Sequence, residues 1–312
     1  MVTKGWTAMG REFFTCVDGA RVRVVEDGDP HALVTVVLVH CYALDHGEWD
    51  RLLPELTRSC DVPVRVLRYD HRGSGESEPF TPDTATLAQL GDDLAELISH
   101  RVPTGPVVLV GHSMGGMAIM AMAERHPELA AARVAGVAFV STACAGMDGL
   151  SLGLPALVAE AVHRLERAGV RLLSAARRPV LTRHPWLLVP FVRWLGFGDG
   201  ASRDLVAQVA RMMAATRPMT LLLFRPDFDV HDRREALANL AGSVATVLVG
   251  DRDRLTPPRR GAEIAEWLPG SRLVVLEGAG HMLPQERPAE LAAAVTTLVH
   301  AATAPTLTDL AS

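Results

Sequence analysis

Cysteine is scarce in this chain of 312 residues, which has four of them and no pair spaced as C-x-x-C. Cysteine-rich metal sites and disulfide frameworks need closely spaced or paired cysteines, so the sequence argues against both. Unpaired thiols are typical of the reducing cytosol. We therefore expect a cytoplasmic protein with no bound metal. The four thiols are Cys16, Cys41, Cys60 and Cys144.

Long apolar runs and an excess of positive charge are also missing. No uncharged apolar stretch reaches the length of a bilayer-spanning helix, and residues 1–6 lack the apolar core of a signal peptide. The formal net charge of −5 argues against a nucleic-acid partner. With 48% hydrophobic and 21% charged residues, the composition is that of a globular protein. This length accommodates one α/β domain, with or without an insertion.

The most informative segment begins at residue 107, where an apolar run leads into a glycine-rich turn. Residues 107–110 read Val-Val-Leu-Val and predict a buried strand, and an apolar helical segment follows the turn. Between them, Gly111, Ser113 and Gly115 form a G-x-S-x-G pattern, which is the nucleophile elbow when it joins a strand to a helix. The strained turn exposes the serine hydroxyl, and the glycines allow strand and helix to approach closely. We predict Ser113 as a catalytic nucleophile.

A serine hydroxyl needs a general base, and the base needs an acid that orients it. Two further apolar runs, residues 244–251 and 272–278, predict strands that open into polar loops. Asp253 follows the first run and His281 follows the second. Because parallel sheets place their sites at the carboxyl ends of strands, we predict His281 as the base and Asp253 as the orienting acid.

Other polar residues compete for these roles. Asp251 is the main rival for the acid, and Asp148 is a weaker one. His40 and His112 are interpreted as core histidines, or as supports of neighbouring groups, rather than as bases.

Several motifs together resemble the α/β-hydrolase superfamily. Besides the elbow, residues 69–77 are similar to the family's D-x-R-G-x-G-x-S loop, and Gly250-x-x-Asp253 and Gly280-His281 stand at the usual spacing from the C-terminus. The nucleophile, acid and base also follow one another in the family's chain order. The resemblance covers most of the chain. It implies an α/β fold with a mostly parallel eight-stranded sheet, helices on both faces and an inserted α-helical cap.

The hydrophobic pattern agrees with this class, because an Asp18-Gly19 turn predicts an antiparallel hairpin and apolar runs then alternate with helical segments. The predicted strands are residues 11–17, 21–26, 33–40, 64–69, 107–110, 134–140, 245–249 and 273–276. The predicted helices are residues 47–58, 84–101, 114–125, 259–267 and 288–301. The pair His126-Pro127 indicates the end of the third, because the residue before a proline leaves the helical conformation.

Residues 147–231 interrupt the alternation with helical periodicity and look like the cap that covers the active site in many family members. We therefore divide the chain into a core of residues 1–146 and 232–303, the cap, and a flexible tail of residues 304–312. The alternative is a helical excursion that only extends the fold.

The cap is rich in arginine, methionine and aromatic side chains. Its 11 arginines outnumber its 7 acidic residues and form either a solvated outer face or a site for an anionic substrate group. Methionine-rich, apolar linings suit a pliable greasy pocket. The residues that we assign to a substrate pocket are Cys41, Met212, Met213, Trp186 and Trp194.

The resemblance also implies an oxyanion hole made by two backbone N–H groups. The first belongs to Met114, the residue after the nucleophile. The second stands third in a His-Gly-x loop, which here reads His40-Cys41-Tyr42, so Tyr42 is the matching donor. Cys41 replaces the family's glycine and brings a side chain into a place that is usually open. Because buried thiols are usually inert, we do not expect a second nucleophile there.

These features predict a serine hydrolase that cleaves an ester, lactone or thioester with a hydrophobic acyl part, through an acyl-enzyme on Ser113. No cofactor is implied. Serine at the elbow argues against epoxide hydrolases and haloalkane dehalogenases, which form their covalent ester on a carboxylate. The same triad also serves C–C bond hydrolysis, cofactor-free haloperoxidation and perhydrolysis. The alternative hypothesis from a different functional class is a receptor that binds a small molecule and turns it over slowly.

Overall fold

The computed structural model describes residues 12–146 and 184–304, together with residues 161, 164 and 168. In this described part, eight strands form one sheet in the order β1-β2-β4-β3-β5-β6-β7-β8. Strand β2 is antiparallel to both of its neighbours, and all other pairs are parallel. The strands are β1 Glu12–Thr15, β2 Arg21–Gly28, β3 Val34–Val39, β4 Val64–Tyr69, β5 Val107–His112, β6 Val134–Val140, β7 Val244–Gly250 and β8 Arg272–Leu276.

Helices fill the connections between the parallel strands. The α-helices are α1 Leu52–Ser59, α2 Leu87–Arg101, α3 Met114–Arg125, α4 Pro127–Arg133, α5 Val189–Gly196, α6 Arg203–Ala215, α7 Pro218–Asp229, α8 Pro258–Trp267, α9 Leu283–Glu286 and α10 Pro288–Thr303. Shorter 3-10 helices span His46–Arg51, Pro82–Thr84, Pro185–Leu188 and Glu235–Leu240. None of the described helices is long and apolar enough to cross a membrane.

The central strands are buried because helices cover both faces of the sheet. Every residue of β3 is buried. Val37 belongs to an apolar cluster that includes residues of α2 and α3, whereas its neighbour Leu38 belongs to a cluster with residues of α1 and α10. Alternate side chains of a strand point to opposite faces, so a strand covered on both sides needs a continuous apolar run. Burying each such side chain contributes roughly 1.5–3 kcal/mol.

The predicted α/β class, with an eight-stranded and mostly parallel sheet, is confirmed. Each predicted strand is present, with its ends shifted by no more than two residues. The hairpin prediction also holds, since β1 and β2 pair in antiparallel and Gly19 adopts a φ of +88° in the turn. That backbone conformation favours glycine.

Several helical details differ from the prediction: the helix predicted from residue 84 begins at Leu87, and the short helices Glu235–Leu240 and Leu283–Glu286 are not among those predicted. The helix predicted over residues 47–58 begins as the 3-10 helix His46–Arg51 and becomes α-helical only from Leu52. Helix α4 was not predicted, because Pro127 was interpreted as the end of a helix. Proline also fits the first turn of a new helix, where its missing N–H has no intrahelical partner, and Pro127 begins α4 in this way.

The described residues between β6 and β7 form helices that pack on loops of the sheet. The backbone N–H of Met282 donates to the carbonyl of Gly196 at the end of α5 (2.9 Å). The hydroxyl of Thr216, just after α6, donates to the carbonyl of Ala43 (2.7 Å). Residues 147–183 of the predicted cap, which include Asp148, lie outside the described residues apart from residues 161, 164 and 168, and so does the predicted tail beyond residue 304.

His231 lies where this helical segment returns to the sheet, and its burial makes folding sensitive to acid. The residue is 3% exposed; its Nε2 donates to the carbonyl of Ala143 (2.9 Å), and its Nδ1 accepts from Arg233 (3.0 Å). Burial lowers the pKa of His231 from 6.5 to about 4. Between pH 6.5 and pH 4, His231 is protonated in the unfolded chain but neutral in the folded chain. The free energy of unfolding therefore declines as the pH falls through this range.

We expect His231→Gln to remove this acid sensitivity, since the glutamine amide still donates a hydrogen bond but does not titrate. Urea unfolding at pH 7.5 and pH 5 provides the measurement. Between these values the free energy of unfolding should fall by about 2 kcal/mol more in the wild type than in the variant. An equal fall in both proteins would show that His231 is not held neutral in the folded chain.

Candidate active site

Ser113 lies between β5 and α3 in a backbone conformation that few residues other than glycine adopt, with φ +52° and ψ −115°. Its N–H donates to the carbonyl of Val140 (2.9 Å), and its carbonyl accepts from the hydroxyl of Thr142 (2.7 Å). Surrounding structure must hold such a strained residue in place. The residue is partly exposed, although its neighbours His112 and Met114 are buried.

The glycines of the elbow are required by close approach of the backbone. A Cβ added to Gly115 would lie 2.0 Å from the carbonyl oxygen of Val39, and one added to Gly111 would lie 2.6 Å from the nitrogen of Gly116. Neither position has room for a side chain. The sequence pattern therefore reflects how tightly α3 folds back against β3 and β5.

His281 and Asp253 form a buried pair on the loops after β8 and β7. Nδ1 of His281 lies 2.9 Å from Oδ2 of Asp253, and the two residues are 2% and 4% exposed. The other carboxylate oxygen accepts the backbone N–H groups of Leu255 and Thr256, both at 2.8 Å. Burial raises the pKa of Asp253, but the nearby His281 and these hydrogen bonds outweigh it and hold the pKa below its usual value. The carboxylate is thus ionised and fixed in orientation.

The main alternative acid, Asp251, is placed differently from Asp253. Asp251 is exposed, and its carboxylate accepts the backbone N–H of Gly278 (2.7 Å), which braces the two loops against each other. Of the two neighbouring aspartates, the structure brings only Asp253 to His281. Asp148 lies outside the described residues.

The ring of His281 lies near the thiol of Cys41. Nε2 of His281 is buried and has no hydrogen-bond partner among the described residues. Ligand atoms of Cys41, His112 and His281 lie within 4.8 Å of one another, and the thiol donates to the carbonyl of Tyr42 (3.4 Å). Burial raises the pKa of Cys41 well above its ordinary value, so this side chain remains a neutral thiol within the candidate site.

Within the described ranges, two clusters have the spacing of metal ligands. In the first, Cys41 and His281 stand with His112, but both ring nitrogens of His112 are already in hydrogen bonds. The second consists of Asp45, His46 and Asp70, and Asp70 Oδ1 already accepts from the backbone and ring of His46. Each cluster therefore contains ligand atoms that are already used in hydrogen bonds within the protein.

The two predicted oxyanion donors follow the ends of neighbouring strands. β3 and β5 pair in parallel, with Val39 opposite Gly111, so the loop containing Tyr42 lies beside the elbow. The N–H of Met114 belongs to the first turn of α3, where backbone N–H groups lack intrahelical acceptors. The hydroxyl of Tyr42 donates to the carbonyl of Leu221 in α7 (2.5 Å), which links this loop to the helical segment.

The predicted pocket residues are only partly brought together. Met212 and Met213 of α6 pack against the apolar cluster that contains Cys41. Trp194 is half-buried, and the guanidinium of Arg254 lies 5.9 Å from its ring centre. Trp186 is 65% exposed in a 3-10 turn that has no buried residue, so the structure does not bring it to this cluster.

Trp194 lines a cleft of about 390 Å³ beside the Asp253 loop. Three arginines also line it, and one acidic residue, Asp199, lies among them. Arg193 and Arg254 each donate to a backbone carbonyl, and Arg252 lies 3.4 Å from Asp199. This cleft is polar, unlike the apolar cluster around Cys41.

Three residues that support the catalytic groups were not singled out from the sequence. The hydroxyl of Thr256 donates to Oδ2 of Asp253 (2.8 Å). Glu48, in the 3-10 helix after β3, accepts the backbone N–H of Cys41 (2.8 Å), and Gln285 donates to the carbonyl of Glu48 (3.0 Å). Only the short spacing from Asp253 to Thr256 is visible in the sequence, since the other contacts join distant segments.

A model of the alpha/beta hydrolase family matches residues 36–294. Over 103 residues the chain is 36% identical to a Mycobacterium tuberculosis protein named probable oxidoreductase EphD, but it spans only 17% of that protein. Epoxide hydrolase A of M. tuberculosis is 28% identical over 89% of this chain and 94% of its own length.

Two further matches cover most of both proteins. The pimeloyl-[acyl-carrier protein] methyl ester esterase of Neisseria meningitidis is 25% identical over 81% of this chain and 88% of its own length. The crystal structure of a hydrolase from Pseudomonas aeruginosa PA01 superposes with a TM-score of 0.73 and 26% identity, covering 94% of this chain and 99% of that one.

Proposed function

The chain belongs to the alpha/beta hydrolase family, and we propose that it is a serine hydrolase that cleaves an ester, lactone or thioester through an acyl-enzyme on Ser113. One arrangement carries this proposal. Ser113 stands partly exposed on a strained elbow, and Asp253 holds Nδ1 of His281. The buried Nε2 of His281 has no hydrogen-bond partner in the described part of the chain.

In the proposed mechanism, the hydroxyl of Ser113 attacks the substrate carbonyl as Nε2 of His281 takes its proton. Asp253 accepts the Nδ1–H of His281, which leaves the lone pair on Nε2 and stabilises the imidazolium that forms. The backbone N–H groups of Met114 and Tyr42 stabilise the oxyanion. His281 then protonates the leaving group and, in the second half-reaction, activates water to release the acyl group.

Ser113 also distinguishes this chain from relatives with other chemistry. One relative bears the name epoxide hydrolase, an activity in which a carboxylate forms the covalent ester, whereas a serine occupies the elbow here. The pimeloyl methyl ester esterase is a relative whose name fits ester cleavage. C–C bond hydrolysis, haloperoxidation and perhydrolysis use the same triad and remain the alternative reactions.

Pre-steady-state turnover of a substrate panel tests the proposal. The purified protein is mixed with p-nitrophenyl esters, thioesters, lactones, an epoxide and a C–C hydrolase substrate. We expect turnover of an ester, lactone or thioester. For p-nitrophenyl esters whose deacylation is slow, a burst of one p-nitrophenol per protein molecule should precede steady state. Turnover confined to the epoxide or the C–C substrate would contradict the proposal.

We further propose that residues 147–231 form a cap over this site and that its described part binds the acyl chain. Cys41, whose thiol lies within 4.8 Å of a ring nitrogen of His281, packs in one apolar cluster with Val209 and Met282, and Met212 and Met213 pack against it. The acyl group of an ester on Ser113 would therefore extend into apolar surroundings. Burying each added CH₂ is worth roughly 0.8 kcal/mol, so kcat/KM should rise about three- to fourfold per carbon until the pocket is full.

Replacing both Met212 and Met213 with serine should flatten this rise while leaving acetate esters almost unaffected, because a short acyl group does not reach them. The measurement is kcat/KM for p-nitrophenyl esters from acetate to octanoate. Met219→Ser is the matched control: this methionine belongs to the neighbouring helix α7, is 49% exposed, and should leave the profile unchanged.

A wild-type profile that stays flat from acetate to octanoate would contradict the apolar pocket. It would instead favour a substrate with an anionic group, for which the arginine-lined cleft beside Trp194 is the candidate site.

A further inference from the structure

A buried pair of side chains, Glu48 and His112, lies beneath the candidate catalytic centre. Glu48 belongs to the 3-10 helix after β3, and His112 is the last residue of β5, directly before the nucleophile. They are 1% and 0% exposed, and a carboxylate oxygen of Glu48 is hydrogen-bonded to Nδ1 of His112. The proposed mechanism assigns neither residue a chemical step.

The remaining atoms of this pair contact the backbone of two catalytic loops. Nε2 of His112 lies 2.9 Å from the carbonyl oxygen of His281. The second carboxylate oxygen of Glu48 accepts the N–H of Cys41 (2.8 Å), the residue before the predicted oxyanion donor Tyr42. The pair therefore contacts both the loop that contains Tyr42 and the loop that contains His281. His112 itself belongs to the nucleophile elbow.

The proton arrangement of the pair follows from its partners. A carbonyl oxygen only accepts, so Nε2 of His112 must carry a hydrogen. The Nδ1 position then either donates to an ionised carboxylate or accepts from a protonated one, and every polar atom of the contact has a partner in both cases. Burial lowers the pKa of His112, but Glu48 and the His281 carbonyl outweigh it and raise the pKa above its ordinary value.

We propose that the Glu48–His112 pair is a positioning element. It holds the oxyanion donor Tyr42, the nucleophile Ser113 and the base His281 in the relative positions that the reaction needs. This inference rests on the proposed serine-hydrolase function. The three groups come from separate loops, and productive attack needs them aligned within about an ångström, since a displacement of about 1 Å can lower the rate about 10²-fold. The pair acts through these groups and does not touch the substrate.

Glu48→Ala removes the carboxylate, which leaves Nδ1 of His112 without its hydrogen-bond partner and the N–H of Cys41 without its acceptor. We expect kcat to fall about 10²-fold and the rate of Ser113 labelling by a fluorophosphonate to fall in parallel, because both reactions need the aligned elbow, base and oxyanion hole. KM should change less than about threefold, because the apolar contacts that bind the acyl chain remain.

Glu48→Gln is the conservative variant that should restore activity. Its amide oxygen can accept the N–H of Cys41, and its NH₂ can donate to Nδ1 of a neutral His112 whose Nε2–H still reaches His281. All hydrogen bonds of the contact are kept, so kcat should stay within about threefold of the wild type. A loss in Glu48→Gln as large as in Glu48→Ala would overturn the positioning account.

A second buried ion pair supplies the matched control. Arg72 and Asp93 are 2% and 1% exposed and contact each other, Asp18 and Gln89 rather than the triad. Asp93→Asn should lower the melting temperature but leave kcat of the folded protein unchanged. If Glu48→Ala behaves in the same way, the pair is only structural and the inference is overturned.

His112→Asn decides the matter if Glu48→Ala does not fold. Asparagine can still donate to Glu48 but is too short to reach the carbonyl of His281, so kcat should fall about tenfold or more with KM unchanged. An unchanged kcat would overturn the inference.

Fluorophosphonate labelling of the wild type distinguishes a failure of the proposed function from a failure of this inference. Without labelling, the proposed function and the inference both fail, whereas labelling with unaffected variants overturns the inference alone.

Discussion

Ser113→Ala should lower ester hydrolysis to the background rate, a loss of about 10⁵- to 10⁶-fold in kcat if the serine acts as nucleophile within a triad. The variant removes one hydroxyl from a residue whose backbone is already strained at φ +52°, and alanine bears the same strain as serine. The melting temperature should therefore stay close to that of the wild type. Turnover of p-nitrophenyl butyrate and a thermal melt provide the two measurements.

Ser141→Ala is a matched control for this prediction. Ser141 follows β6, has a positive φ of 43° and is fully buried, with a hydroxyl that has no partner among the described residues. The same change of side chain in the same type of backbone should leave kcat unchanged. Substantial residual activity in Ser113→Ala would show that the nucleophile lies elsewhere.

Asp253→Asn should lower kcat by about 10⁴-fold. An asparagine amide can donate to Nδ1 of His281, which would place the hydrogen on Nε2 and leave no lone pair to accept the serine proton. The loss of the ionised carboxylate also removes the charge that stabilises the imidazolium. KM should change little, because the carboxylate is 4% exposed and contacts the loop rather than the acyl pocket.

Asp251→Asn is the control for the acid, because its amide oxygen can still accept the N–H of Gly278 as the carboxylate does. It should retain most of the wild-type kcat. The opposite result, with Asp251→Asn inactive and Asp253→Asn active, would move the orienting acid by two residues and contradict the hydrogen-bond geometry of His281.

The sheet and the family were predictable from the sequence because both depend on local patterns. A strand such as β3, with every residue buried, must consist of a continuous apolar run, and the run is visible in the printed sequence. The elbow is equally local, since Gly111 and Gly115 are needed within a few residues of Ser113. The family match and the eight-stranded sheet confirm these predictions. The catalytic roles of the individual residues remain predictions.

Features that depend on contacts between distant segments were not predictable in this way. Glu48 and His112 are separated by 64 residues, and only the parallel pairing of β3 with β5 brings them together. Trp186 was assigned to the pocket by composition, but aromatic content does not show which side chains a fold buries. Pro127 predicts the end of a helix, but a proline is equally compatible with the first turn of the next helix, and local sequence does not distinguish the two.

Mass spectrometry of the wild-type protein after reaction with a fluorophosphonate tests the central claim most directly. Residues 102–125 form a tryptic peptide, and Ser113 is its only serine. We predict a single phosphonyl adduct per molecule, on Ser113 within this peptide, with its formation blocked by a slowly hydrolysed ester. An unmodified protein, or an adduct on Cys41 or another residue with Ser113 unmodified, would contradict the assignment of Ser113 as the nucleophile.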